Sequence, residues 1–500
     1  MFKDRFSRLL PRPSIPLIAA VAVFALHLAG NPHYGFFSDE LYFIICGRRL
    51  AWGYVDQPPV APLLAAASQV FGHSLFLLRA LPAFFAAADV YVTCLLAVEL
   101  GAAAFGQFVT ACAVFFSPVL MDFGMKVSPD MVGLWLWPLI VLFVLRLAKG
   151  ADPRWWLAIG AVTGVCLQSK YSVVFFVASL LAGLLLTPWF PAGCLVAAII
   201  ALPNFLWQAF RGFPMLELLR NGQHGKNIIL SPAGFMLQML VIMGLVSVVW
   251  IIWLFGQRQL RFLAYAFVIL IGAMILLHGK SYYPADAFPY LFAAGGVVFE
   301  RWTGGSRAAR LLVATAVVLL GLAMVPIVMP ILPEAQAASY INGFFKALRL
   351  KRGAITTEHH ALPTLTSDFD NMHGWPEMTS RVAQAYRSLP PAERAQAVIY
   401  AQNYGEAAAI DFFGTDYGLP PVISGHNQYF LWGTHGYSGD VLICVGADCP
   451  SVEKLYRSCV AYAPFSAPWV APLEDGAPIM VCRGIKKPLS ELWPQAKMYM

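Results

Sequence analysis

The sequence predicts a multi-pass α-helical membrane protein followed by a water-soluble C-terminal α/β domain. Three observations carry this. Of the 500 residues, 59% are hydrophobic and only 12% are charged, against about 25% charged in a soluble domain. Apolar runs recur through the first two thirds of the chain, and a bilayer span needs roughly 20 such residues. Beyond residue 332 the pattern changes to short β-rich segments alternating with helical ones.

The elements follow in order. Lys3, Arg5, Arg8 and Arg12 precede an apolar stretch and mimic a signal peptide. No convincing small-residue cleavage site follows, so residues 14–30 read as an uncleaved first helix. Further helices are predicted near 77–99, 103–120, 131–148, 154–168, 171–187, 192–209, 233–255, 261–278, 284–299 and 308–332, which gives about eleven crossings. The short pieces 154–168 and 171–187 could instead form a hairpin that does not cross fully, with the topology unchanged.

Charge sets the orientation. With the N-terminus inside, the inner segments hold those four cations, then Arg146, Lys149, Arg154, Arg258, Arg261, Arg301, Arg307 and Arg310. Few acids lie beside them, as the positive-inside rule requires. An odd number of crossings places the tail outside. The predicted domains are therefore a transmembrane domain over 1–332, with a long first outer loop at about 31–76, and an extracytoplasmic domain over 333–500. The net charge of +7 is accounted for by this asymmetry and does not call for nucleic acid as a partner.

In the first outer loop, residues 39–52 carry an apolar stripe through Leu41, Ile44, Ile45, Leu50 and Trp52. A helix lying in the membrane interface suits that stripe. Pro58-Pro59 then breaks the chain. In the tail, 396–401, 440–446 and 477–482 read as strands, while 405–414 and 451–457 read as helices. That alternation predicts a small, mostly parallel sheet. Five of the nine cysteines lie in or beside apolar segments. The other four, Cys444, Cys449, Cys459 and Cys482, lie in the tail. They permit a disulfide, with Cys449 and Cys459 the nearest pair read from the sequence, or four unpaired buried thiols.

Ionisable residues close to a membrane are candidates for function. Asp39 and Glu40 follow the first helix directly. A carboxylate facing a dry cleft can take a proton from an acceptor hydroxyl, and the same pair suits a helix N-terminus. Gly53–Pro59 forms a turn that could present Asp56 inward. Asp39, Asp56 and Asp130 could bind a divalent metal ion, since carboxylates suit hard cations, although their spacing is not diagnostic. His278-Gly279-Lys280-Ser281-Tyr282-Tyr283-Pro284 is a short outer loop in which Lys280 could hold a phosphate. Tyr282 and Tyr283 suit an interfacial aromatic belt equally well. Lys170 lies inside a hydrophobic hairpin, where it must pair or reach the surface.

Carboxylates with scattered cations at one membrane face suit a substrate with an anionic head and a greasy tail. No Walker A loop and no GxGxxG after a strand is present, which argues against ATP-driven transport and nicotinamide chemistry.

At these residues the chain resembles the membrane-embedded GT-C glycosyltransferases. It is most similar to bacterial relatives of the protein O-mannosyltransferases and of the aminoarabinose transferases that modify lipid A. The matching features are Asp39-Glu40, the Tyr54–Pro59 turn, Ser128-Pro129-Asp130, Ser169-Lys170-Tyr171 and Gly279–Pro284 running into Phe288-Pro289-Tyr290. Asn403-Tyr404-Gly405-Glu406 and Ser424-Gly425-His426-Asn427 in the tail resemble bacterial members as well. The resemblance implies a GT-C fold, a sugar donor linked to a polyprenyl phosphate, and inverting transfer to an envelope acceptor outside the cytoplasmic (inner) membrane of a bacterium. It implies Asp39 as the base, with Glu40 supporting it or binding acceptor. Lys280, Tyr283, Tyr282, Lys170 and Arg48 or Arg49 would hold the lipid phosphate, and Asp56, Asp130 and Tyr42 are acceptor or metal-site candidates. The chain departs from the aminoarabinose transferases at Asp56-Gln57, where they have Glu-Lys. The competing reading is a lipid-sugar flippase or binding protein, which would use the same cations without a carboxylate base.

Overall fold

Helix-forming apolar runs and β-branched tail segments fold where the periodicity places most of them. The computed structural model describes residues 14–181, 190–244, 249–349, 351 and 364–500. The N-terminal cations Lys3, Arg5, Arg8 and Arg12, the end of the 171–187 helix and the middle of the 233–255 helix lie outside the described residues. The chain divides into two units. One comprises Met1–Pro32, Phe76–Leu206 and Ile229–Ile331; the other comprises His33–Leu75, Trp207–Ile228 and Leu332–Met500. The first outer loop thus belongs to the unit of the tail.

The first unit is helical. Among the described residues, Leu75–Glu99, Phe190–Phe210 and Arg307–Val328 are long and apolar enough to cross a membrane. Shorter apolar helices include Ala104–Phe115, Gly133–Ala148, Trp155–Leu167, Pro232–Met243 and Arg261–Leu276. Leu311, Leu312, Leu319 and Leu320 on Arg307–Val328 are all exposed, a pattern suited to lipid rather than water. The run predicted as one helix over 103–120 is two, Ala104–Phe115 and Pro118–Phe123. Pro118 has no N–H to continue the first helix and opens the second at its N-terminus instead. Two helix crossings are closed by glycine. A Cβ on Gly296 would lie 2.3 Å from the carbonyl oxygen of Gly106, and one on Gly160 would lie 2.1 Å from that of Gly193. Small residues at such points let helix backbones touch in a membrane.

The second unit contains a five-stranded sheet. Its strands are β1 (Val398–Ala401), β2 (Val422–Ile423), β3 (Val441–Val445), β4 (Tyr456–Ala461) and β5 (Ile479–Ile485). The order is β2-β1-β3-β5-β4. β1 pairs parallel with β2 and β3, whereas β5 runs antiparallel to β3 and β4. The sheet is therefore mixed rather than mostly parallel, because its last two strands are joined without a helical crossover. The predicted helix 451–457 is also displaced: a short helix occupies Cys449–Glu453, and β4 has begun by Tyr456. Every residue of β3 is buried, as a central strand requires.

Two further expectations are corrected. The predicted interfacial helix 39–52 is the helix Ser38–Gly47, and Tyr42, Phe43 and Cys46 are buried along with Leu41, Ile44 and Ile45. It is enclosed within its unit and stops before Leu50 and Trp52, which are exposed. At its end Gly47 approaches Pro62, whose carbonyl oxygen would lie 2.7 Å from a Cβ there. The tail cysteines pair as Cys444–Cys449 and Cys459–Cys482, not as Cys449–Cys459. Cys459 and Cys482 face each other in the β4–β5 register, a proximity that sequence distance does not reveal. The Cys459–Cys482 bridge closes a loop with a separation of 23 residues. Removing it with a Cys459→Ala/Cys482→Ala variant is expected to cost about 3 kcal/mol. Thermal unfolding should show a lower midpoint for that variant, and added reductant should lower the wild type in the same sense.

Candidate active site

The second unit gathers two carboxylates among tyrosines. The helix Ser38–Gly47 starts at Ser38, and the Phe37 N–H donates to Glu40 Oε2 at 3.0 Å. Glu40 is fully buried and satisfies a backbone donor that the helix leaves open. Its neighbour Asp39 points elsewhere and keeps partial exposure. Asp39 Oδ1 accepts a hydrogen bond from the Tyr404 hydroxyl at 2.9 Å. One carboxylate of the adjacent pair is thus committed to capping, and the other stands oriented by a phenol.

Asp56 is held by the same helix. The Tyr42 hydroxyl donates to Asp56 Oδ1 at 3.0 Å, and the Gln428 N–H approaches the Tyr42 oxygen at 3.3 Å. The Tyr42 and Tyr404 rings lie 4.6 Å apart. The Tyr54–Pro59 turn is fastened back onto the helix end, since the Tyr54 hydroxyl donates to the Cys46 carbonyl at 3.0 Å. Gln208 Nε2 donates to the Tyr54 carbonyl at 3.0 Å. Burial pushes the Asp56 carboxyl up to about 7; hydrogen bonds from Tyr42 and Asn427 oppose this, and the charge of Asp39 adds to it. Gln57 beside it is buried, and its amide atoms meet no hydrogen-bonding partner among the described residues.

A raised carboxyl binds its proton more tightly in the folded state than in the unfolded one. That contribution to stability is complete below about pH 4 and is lost as pH rises towards 7. The ceiling is about 4 kcal/mol at 1.36 kcal/mol per pH unit, and the remaining solvent contact of Asp56 keeps the realised loss below it. Asp56→Asn is therefore expected to flatten the fall in thermal midpoint between pH 4 and 7, measured against wild type in the same detergent.

Arg48 and Arg49 sit at the other end of the helix. Arg48 Nη1 donates to the Asp411 carbonyl at 3.3 Å, and the Arg49 guanidinium lies 4.5 Å from the Trp432 ring. A cleft of about 210 Å³ is lined by both arginines with Asp411, Thr415 and Pro420. The Asp411 carboxylate is already engaged by the Tyr429 hydroxyl and the Val422 N–H, at 2.9 and 3.0 Å.

The first unit gathers a different set. Lys170 Nζ forms an ion pair with Asp130 Oδ1 and lies 4.7 Å from the Tyr283 ring and 5.5 Å from that of Tyr282. The Lys280 ammonium lies 5.8 Å from the Tyr282 ring. Ser169 Oγ donates to the Pro129 carbonyl at 2.7 Å, which ties the Lys170 turn to the Asp130 turn. Lys126 pairs with Asp122 at 2.7 Å. Asp286, which sequence reasoning missed, is buried, and its carboxylate packs where a Cβ on Gly133 would stand, at 2.2 Å. Its signal was a lone acid at the mouth of an apolar run.

The structure thus brings Asp39, Glu40, Tyr42, Asp56, Arg48 and Arg49 into one unit. It brings Asp130, Lys170, Lys280, Tyr282 and Tyr283 into the other. Tyr404 and Asn427 were missed as site residues, although the motifs that hold them stood out in the sequence. Among the described residues no group of three or more His, Cys, Asp or Glu side chains is placed to hold a metal ion.

The helical unit and its mixed-sheet tail have counterparts among known proteins. Residues 56–207 match the model of the dolichyl-phosphate-mannose-protein mannosyltransferase family. The chain is similar to ArnT from Cupriavidus metallidurans in two crystal structures, and each alignment covers 93% of this chain and 97% of that one. The apo form has a TM-score of 0.60 at 15% identity. The form bound to undecaprenyl phosphate has a TM-score of 0.58 at 14% identity. No curated protein matches the chain by sequence. The resemblance to GT-C enzymes read from the sequence motifs is thus also present in the fold.

Proposed function

We propose that this protein is a membrane glycosyltransferase that moves a sugar from a polyprenyl-phosphate donor to an acceptor outside the cytoplasm. The observation that carries the reading is Asp39: a partly exposed carboxylate, oriented by the Tyr404 hydroxyl, beside a carboxylate already spent on capping. In the proposed step, an acceptor hydroxyl or amine gives its proton to Asp39. Its oxygen or nitrogen bonds to the anomeric carbon from the face opposite the phosphate. The bond from that carbon to the phosphate oxygen breaks, the configuration inverts, and polyprenyl phosphate leaves with its charge stabilised by cations.

Lys280, Lys170, Tyr282 and Tyr283 are the groups proposed to hold that phosphate, and Arg48 and Arg49 keep the same assignment. The Lys170–Asp130 ion pair gives Asp130 the role of setting Lys170 in place. Tyr42 and Asp56 are proposed on the acceptor side. A divalent ion at Asp39 and Asp56 would need substrate phosphate oxygens and water to complete its shell, a habit of Mg²⁺. The placement proposed is the bacterial inner membrane, with about eleven crossings, the N-terminus inside and the tail outside. The two tail disulfides support that side, because disulfides persist in oxidising compartments.

The test uses purified protein in liposomes with a panel of polyprenyl-phosphate hexoses, pentoses and aminopentoses plus envelope extract. Mass spectrometry follows free polyprenyl phosphate. Release with one donor supports the transferase and names the sugar. Lipid binding or transbilayer movement with no release from any donor overturns it in favour of a flippase.

A further inference from the structure

A second pair of carboxyl groups lies in the tail, at the start of the helix that bears Tyr404. The helix Tyr404–Phe413 is capped by Asn403, whose Oδ1 accepts from the Glu406 N–H at 2.9 Å. Glu406 Oε2 in return accepts from the N–H groups of Gln402 and Asn403, at 2.8 and 3.3 Å. This is a capping box, with two otherwise open donors satisfied reciprocally. Asn403 also donates through Nδ2 to Glu474 Oε1 at 3.1 Å. Glu406 and Glu474 are 1% and 3% exposed, and Asn403 donates to both, so the two buried carboxyl groups lie against one residue and feel each other's charge. Glu474 Oε2 receives no N–H or O–H among the described residues.

Two buried negative charges this close would repel, and one proton held by the pair removes that repulsion. No lysine, arginine or protonated histidine among the described residues neutralises the pair. Tyr400 on β1 is held neutral, pushed up to about 12 by burial and by the charges of Asp448 and Glu406. His426 accepts the Tyr404 N–H at Nδ1, 3.3 Å away. Burial pushes it down to about 4, so it brings no positive charge at neutral pH. Gly446 seals the remaining side: its φ is +106°, and a Cβ there would lie 2.8 Å from both Glu406 carboxyl oxygens.

We propose that Glu406 and Glu474 share one proton, and that this proton holds the capping box that sets Tyr404 on Asp39. Both glutamates are positioning residues, acting through the helix start and Tyr404. The inference rests on Asp39 being the base of the proposed transferase. Its consequence is an alkaline limit on activity. Burial, followed by the charge of the partner, raises Glu406 well above the ordinary carboxylate range. The stabilising contribution is therefore complete below the ordinary carboxylate pKa and is lost as pH rises through the raised one. Above that point the competent fraction falls about tenfold per pH unit.

The experiment measures transfer and thermal midpoint against pH for the full-length protein in liposomes or detergent. Wild type is compared with Glu474→Gln, Glu406→Gln and Glu406→Ala. Glutamine keeps a neutral hydrogen-bonding end, and at 406 it still completes a capping box. Glu474→Gln should match wild type on the acid side and hold its activity about one pH unit or more beyond the wild-type decline. Glu406→Gln should rescue what Glu406→Ala loses. Superimposable pH profiles of activity and of thermal midpoint for wild type and Glu474→Gln would overturn the proposal. The midpoint profile is read without any substrate. A failure of the transferase reading therefore leaves the shared proton testable, and the loss of the alkaline shift in both profiles counts against the pair alone.

Discussion

Asp39→Asn should lower sugar transfer by about 10²- to 10⁴-fold, the usual contribution of a positioned general base. Binding of polyprenyl phosphate should change little. The substitution is isosteric, and the amide oxygen of asparagine can still accept the Tyr404 hydroxyl that Asp39 accepts at 2.9 Å. Packing around the helix Ser38–Gly47 is therefore retained, and what disappears is the group that takes the acceptor's proton. Tyr404→Phe is the companion variant. It leaves the base and removes its orientation, so its loss should be smaller, about tenfold, and expressed in kcat. Release of polyprenyl phosphate measures both. Asp39→Asn activity within threefold of wild type would move the base elsewhere, with Asp56 the next carboxylate to test.

Lys170→Met should destabilise the protein by about 3 kcal/mol. Removing one partner of a largely buried ion pair costs about 3–5 kcal/mol, because the remaining charge is stranded. The side chains of Lys170 and Asp130 retain 23% and 13% exposure, which places the cost at the lower end. Lys170→Met/Asp130→Asn strands no charge and should recover most of the thermal midpoint. Transfer tells a separate story. With Lys170 acting on the donor phosphate, the double variant stays inactive although it is stable. Recovery of both together would assign the lysine to structure alone and leave Lys280 to carry the phosphate.

These two variants rest on parts of the site that differed in how readily they could be read. Asp39, Lys170 and Lys280 stood out as candidates because ionisable groups are costly near a bilayer and contrast with apolar sequence. Their partners were not. Tyr404 lies 365 residues from Asp39, and no local pattern links them. The same holds for Asp411 with Tyr429, whose contact depends on how two separate helices meet. Most helix positions followed from apolar periodicity. The break at Ser117-Pro118 carried its own signal in the proline, and a single apolar run over 103–120 obscured it. The positions of β1, β3 and β5 were legible from β-branched runs; β2, only two residues long, and β4, whose start overlaps the helix predicted over 451–457, were not, and strand direction was not either: β5 reads the same in either sense. The disulfide pairing depended on that direction, since Cys459 meets Cys482 only in the antiparallel register.

The 365-residue gap between Asp39 and Tyr404 also sets a schedule for synthesis. The first outer loop leaves the ribosome early, while its partners at Tyr404, Asn427 and Gln428 come near the end. At about 5–20 residues per second the helix Ser38–Gly47 waits roughly 20–70 s for them. Through that interval its buried residues Tyr42, Phe43 and Ile44 have no mature surroundings. Asp39 is therefore set in place by the last third of the chain, and a prematurely ended chain is expected to insert helices without giving this carboxylate its partners.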